Sequence, residues 1–144
     1  MPTSKGKSIL IVDDDEDLIN LYDTFLKYNG YKVDSFTDPM NALDSFRKDI
    51  YDIVLLDLKM PKMNGVELSQ ELQNIDPNLF YRFITAANKE YIENIKSNNP
   101  DIENNIIYKP LWLNELRTTV HSLLSNKEKQ QKEDKDDRLL MMIV

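Results

Sequence analysis

The sequence predicts an α/β domain built on a parallel sheet with helices on both faces. Two observations carry this: short apolar runs alternate with longer amphipathic stretches along the chain, and the runs at Ser8–Val12 (SILIV) and Asp52–Leu56 (DIVLL) are apolar throughout after their first residue, as in strands buried on both faces. Five strands each followed by a helix, joined by right-handed crossovers, place helices above and below the sheet.

The elements follow in order. Ser8–Val12 is the first strand, and Asp17–Asn29 a helix with Leu18, Leu21, Tyr22, Phe25 and Leu26 on one stripe, stopped by Gly30. Tyr31–Phe36 is the second strand. Asp38 then caps a helix with Pro39 at its first position and Ala42, Leu43 and Phe46 on its apolar face. After Asp52–Leu56, Asn64-Gly65 opens a helix carrying Val66, Leu68 and Leu72. Leu79–Ile84 is the fourth strand, Asn88 caps the fourth helix, and Ile106–Tyr108 ends the fifth strand. Leu113, Leu116, Val120 and Leu123 mark the last helix.

The 144 residues fit one domain, expected over 1–125, with a core that needs no staples. Without cysteine there is no disulfide framework, thiolate zinc site or cysteine nucleophile, and one histidine excludes a multi-histidine metal site. A net charge of −7 argues against nucleic-acid binding, since a phosphate backbone demands a basic face. No apolar run is long enough for a signal peptide or membrane span, so the protein is expected to be soluble and cytoplasmic. After Ser125 the composition breaks. Lys127–Arg138 carries five charges of each sign, and Leu139–Val144 is entirely apolar. This extension, 126–144, is helical or disordered on composition alone. High charge favours disorder, whereas the absence of Gly and Pro and the i,i+4 pairs Glu128/Lys132, Lys129/Glu133, Lys132/Asp136 and Asp134/Arg138 favour a helix continued past Ser125. Its apolar segment would need cover, from its own domain if the end folds back, or from a partner or a second copy in a homodimer.

Ligands of open parallel sheets bind at the carboxyl ends of the strands. Here the first strand ends in Asp13, Asp14 and Asp15, the third in Asp57, the fourth in Thr85 and the fifth in Lys109-Pro110. Clustered carboxylates raise one another's pKa unless a cation lies among them, and Mg²⁺, a hard ion with oxygen ligands, is the natural occupant. A lysine and a hydroxyl beside it suit phosphoryl oxygens, which points to phosphoryl transfer with Asp57 as an aspartyl-phosphate nucleophile.

The blocks ILIVDDDEDL, DIVLLDLKMPKMNG, FITAA and IIYKPL, in this order and spacing, resemble the receiver domains of two-component response regulators over about Lys7 to Ser125. The resemblance implies a flavodoxin-like, doubly wound five-stranded parallel sheet in the order 2-1-3-4-5 with five helices. It implies that Asp57 is phosphorylated by a histidine kinase or phosphotransfer protein, and that Asp13, Asp14, Asp57 and the backbone carbonyl of Lys59 hold Mg²⁺. Thr85 and Lys109 would contact the phosphoryl oxygens, the Lys109-Pro110 bond would be cis, and the domain would slowly hydrolyse its own acyl phosphate while signalling to an output protein of unknown identity.

Three departures stand out. Ile106 occupies a position that is usually aromatic in this family, and Tyr108 is no obvious substitute. Trp112 stands where a polar helix cap is common, so Asn114 is expected to start the last helix. No output domain is expected after Ser125. An alternative enzyme reading comes from Asp13 and Asp15, a D-x-D after an apolar strand similar to that of haloacid dehalogenase phosphatases. The further acidic pair those enzymes need is matched only by Asp136-Asp137, within the charged extension. A binding module that works without phosphorylation finds no support, because every position of the site is filled.

Overall fold

The computed structural model describes residues 6–109 and 112–143. The elements are β1 (Ser8–Val12), α1 (Glu16–Tyr28), β2 (Lys32–Phe36), α2 (Pro39–Ser45), β3 (Ile53–Leu56), α3 (Gly65–Ile75), β4 (Tyr81–Thr85), α4 (Lys89–Lys96), a 3₁₀ turn (Ile102–Asn105), β5 (Ile106–Tyr108) and α5 (Leu113–Ile143). All strand pairs are parallel and the sheet order is β2-β1-β3-β4-β5, as expected. Pro110, and with it the expected cis bond, lies outside the described residues.

Strand alternation divides the core into two layers. Leu10, Val12, Val54, Leu56 and Phe83 pack with Val66, Leu68 and Leu72 of α3 and Ile92 of α4. On the other face, Ile9, Ile11, Ile53, Leu55 and Ile84 pack with Ile19, Tyr22 and Leu26 of α1 and Leu116, Val120 and Leu124 of α5. Helix α1 stops where the backbone turns left-handed at Gly30 (φ 93°), a conformation glycine adopts without steric cost, while the N–H of Tyr31 reaches back to the Leu26 carbonyl.

Several local expectations shift. Leu21 does not face the core: it is half exposed, because the apolar arc of α1 is wider than the sheet beneath it, and Ile19 takes the buried place. Strand β4 begins at Tyr81 rather than Leu79, since Asp76 first draws the chain into a turn through Asn78 N–H and Leu79 N–H. Helix α5 starts at Leu113, one residue before Asn114. The Trp112 carbonyl accepts the Leu116 N–H at 2.9 Å, and Asn114 lies inside the first turn with its side chain on the Glu115 N–H.

Past Ser125, α5 continues without a break to Ile143. Lys127 donates to the Asp52 carbonyl at 2.7 Å and lies over the Phe80 ring, and Glu128 pairs with Lys7 at 2.8 Å, so the body of the domain holds the helix this far. No described helix is long and apolar enough to cross a membrane.

Candidate functional site

Register brings the site together. Val12 is level with Leu56 across the β1–β3 pair, so Asp13 and Asp57 leave adjacent strands side by side. Thr85 is the last residue of β4 and level with Tyr108, so Lys109 follows one step beyond it. Backbone bonds fix these ends: Asp13 N–H to the Phe36 carbonyl, Asp57 N–H to the Val12 carbonyl, and Lys109 N–H to the Thr85 carbonyl at 2.8 Å. Asp13, Asp57 and Lys109 continue the parity of Ile11, Leu55 and Ile107, the face covered by α1 and α5.

Lys109 Nζ lies 2.6 Å from Asp13 Oδ2 and 3.7 Å from Asp57 Oδ2. Asp13 and Asp57 are buried and Thr85 is fully buried, whereas Asp14 is exposed at the rim. Carboxylate oxygens of Asp13, Asp14 and Asp57 fall within 4.8 Å of one another. Burial and the facing Asp13 charge push the Asp57 carboxyl up to about 6, against the opposing pull of Lys109, the Thr85 hydroxyl and the Lys59 backbone N–H. Burial alone would lower the Lys109 ammonium, but its hydrogen bond to Asp13 and the charges of Asp13 and Asp57 outweigh that and raise it. Two crowded acids with one ammonium between them leave an excess of negative charge, and all the free donors are hard oxygens. That set fits a small divalent cation such as Mg²⁺.

Beside Asp57 a cavity of about 330 Å³ is bounded by Lys59, Thr85, Ala86, Ala87 and Asn88. The Thr85 hydroxyl accepts the Ala87 N–H at 3.0 Å and directs its own proton toward Asp57. The structure thus brings together Asp13, Asp14, Asp57, Thr85 and Lys109, with the Lys59 backbone alongside. Asp15 goes elsewhere. Its side chain caps α1 by accepting the Leu18 N–H at 3.1 Å, so the Asp13/Asp15 pairing of the phosphatase alternative has no geometric counterpart.

Ile106 is half-buried against the layer containing Phe83, and Tyr108, two residues on and of the same parity, is exposed and within reach of Glu103. Two contributors escaped the sequence reading. Gly65 lies so close to the Asp57 backbone that a Cβ would sit 2.2 Å from the Asp57 carbonyl oxygen, and its N–H bonds the Leu58 carbonyl. The glycine after Asn64 carried that signal, but it was legible only as part of a helix start. Tyr91 of α4 reaches the Leu58 carbonyl with its hydroxyl at 3.4 Å and lies under the Lys59 ammonium. Nothing in the local pattern marks it.

The model of the response regulator receiver domain family matches residues 9–121. Response regulator SaeR of Staphylococcus aureus is 34% identical over 83 residues, which make up 58% of this chain and 36% of that protein, so the match spans well under half of the relative's length. Among solved structures, the non-phosphorylated HemR receiver domain of Leptospira biflexa is 27% identical with a TM-score of 0.68, covering 83% of this chain and 94% of that one. A CheY-like response regulator receiver domain protein from Methanospirillum hungatei shares the fold at 23% identity and a TM-score of 0.70, covering 88% of this chain and 99% of that one. With the family model spanning most of its length and the acidic site at the expected strand ends, the chain belongs to the response regulator receiver domain family.

Proposed function

We propose that this receiver domain accepts a phosphoryl group on Asp57 from the phosphohistidine of a histidine kinase or phosphotransfer protein, in a Mg²⁺-dependent reaction, and signals to a protein partner by a change of conformation. The observation that carries this is the placement of a buried Asp57 carboxylate opposite Asp13, with the Lys109 ammonium 3.7 Å away and a cavity open beside it.

In the transfer, an Asp57 oxygen attacks phosphorus, the P–N bond to the donor imidazole breaks, and that bond's electron pair leaves with the ring. Lys109 stands between Asp13 and Asp57, close enough to turn toward the oxygens of the incoming group, and the Thr85 hydroxyl has a proton to donate to one of them. Asp13, Asp14, Asp57 and the Lys59 carbonyl would hold Mg²⁺, which when bound neutralises charge on the transferred oxygens. The same site, opened to water, hydrolyses the acyl phosphate slowly. With Ile106 in place of an aromatic ring, the response runs through Thr85 and the loop into α4, and the α4–β5 surface meets the partner.

Acetyl phosphate with Mg²⁺ tests the assignment. Mass spectrometry should find one added phosphoryl group on the peptide that contains Asp57, and none in Asp57→Asn. Equal labelling of that variant would overturn it. For the signalling half, hydrogen exchange with and without beryllofluoride should change within residues 85–110, and an unchanged pattern there would count against a switching surface.

A further inference from the structure

Beyond Glu128 the helix leaves the domain. Lys129–Ile143 runs for fifteen residues, about 22 Å at the α-helical rise. Its last five side chains, Leu139 to Ile143, are 58–84% exposed, and they surround the helix on every side. The charged stretch before them is divided by sign. Lys127, Lys129 and Lys132 stand against the lone acid Glu128 in its first half, whereas Glu133, Asp134, Asp136 and Asp137 outnumber Lys135 and Arg138 in the second. Among the described residues no ion pair closes within Lys129–Arg138, and the contact that forms there is an amide one, Gln130 to Asp134 at 3.1 Å.

We infer that this segment pairs antiparallel with the same segment of a second copy of the chain. Parallel pairing in register would set like-signed halves side by side. Antiparallel pairing about a two-fold axis between Lys132 and Glu133 sets each basic half against an acidic half, and as an isologous contact it closes on itself. In that register Leu139–Ile143 of one copy lies beside residues 122–126 of the other, where α5 meets the amino edge of the sheet. Apolar surface is available there. Leu123 is half-buried, and Ile50, two residues before the carbonyl that Lys127 holds, is 47% exposed. One arrangement therefore covers the apolar segment and opposes the charges, and it leaves the carboxyl edge of the sheet free. This inference does not rest on the phosphoryl-acceptor reading.

Sedimentation equilibrium of the full chain should give twice the monomer mass at 100 μM protein in 50 mM NaCl, with weaker association in 500 mM NaCl. The pair Lys129→Glu with Lys132→Glu, and separately the pair Glu133→Lys with Asp136→Lys, should each yield a monomer with an unchanged circular dichroism spectrum. Mixing the two proteins should restore the dimer. Because the chain has no cysteine, single thiols report the direction. Chains bearing Gln130→Cys should cross-link to chains bearing Lys135→Cys, in preference to chains of their own kind. A wild-type monomer at every concentration would mean that the apolar segment serves another chain, and would overturn the proposal. So would a dimer indifferent to the charge swaps, or like-with-like cross-linking.

Discussion

At the amino edge of the sheet, Asp52 and Asp76 face backbone N–H groups, whereas at the carboxyl edge Asp13 and Asp57 face each other across Lys109. Asp52 accepts the Ser8 N–H at 2.8 Å and ties β3 to β1. The buried Asp76 accepts from Asn78 at 3.1 Å and Asp49 at 3.3 Å, and its own N–H ends α3 on the Leu72 carbonyl. These carboxylates satisfy donors that would otherwise be orphaned. Asp57 is buried with a like charge opposite, and the two together lift its carboxyl to about 6. One residue type thus stabilises the fold at one edge and destabilises it at the other. The unfavourable placement persists because β1 and β3 end level with each other and leave neither acid another direction. An excess of negative charge gathered in this way suits a cation.

Three substitutions or conditions sharpen the contrast. Gly65→Ala should be the most damaging, since its Cβ would meet the Asp57 carbonyl at 2.2 Å and force apart the backbones that form the carboxyl edge. A loss of about 3 kcal/mol is expected by urea unfolding. Mg²⁺ at a hundredfold its Kd should stabilise the wild-type protein by about 2.7 kcal/mol, read as a higher melting temperature. The gain should vanish in Asp13→Ala and in Asp14→Ala, and a gain retained in both would move the metal site elsewhere. Asp76→Ala should lose about 1–3 kcal/mol, because two N–H groups lose their acceptor, and Mg²⁺ should act on it as on the wild type.

Much of this was legible in the sequence. SILIV and DIVLL read as strands buried on both sides, and the residues that follow them were expected to gather at one edge. Asp13, Asp57, Thr85 and Lys109 stand at strand ends, where position is set by register rather than by loop geometry. Details governed by long-range contact were less accessible. Helix α1 offers more apolar residues than the sheet can cover, so periodicity alone did not choose Ile19 over Leu21. On α5 it marked Leu123, where the sheet buries Leu124. The continuation of α5 past Ser125 was undecided by composition, and Lys127 and Glu128 anchor it through partners far away in sequence. The role of Gly65 depends on an approach between backbones that no local pattern reveals.

The contrast between the edges is tested most directly by the stability of Asp57→Asn against wild type, without divalent ions, as a function of pH. A carboxyl that titrates near 6 when folded and near 3.8 when unfolded holds more protons in the folded state between those values. Wild-type stability contributed by this group therefore falls as pH rises through that window, and the deficit is complete above it. Asparagine carries no such deficit. At pH 7.5 the variant should be more stable by about 1–3 kcal/mol, with the difference fading toward pH 4. A variant no more stable than wild type at pH 7.5 would contradict the account.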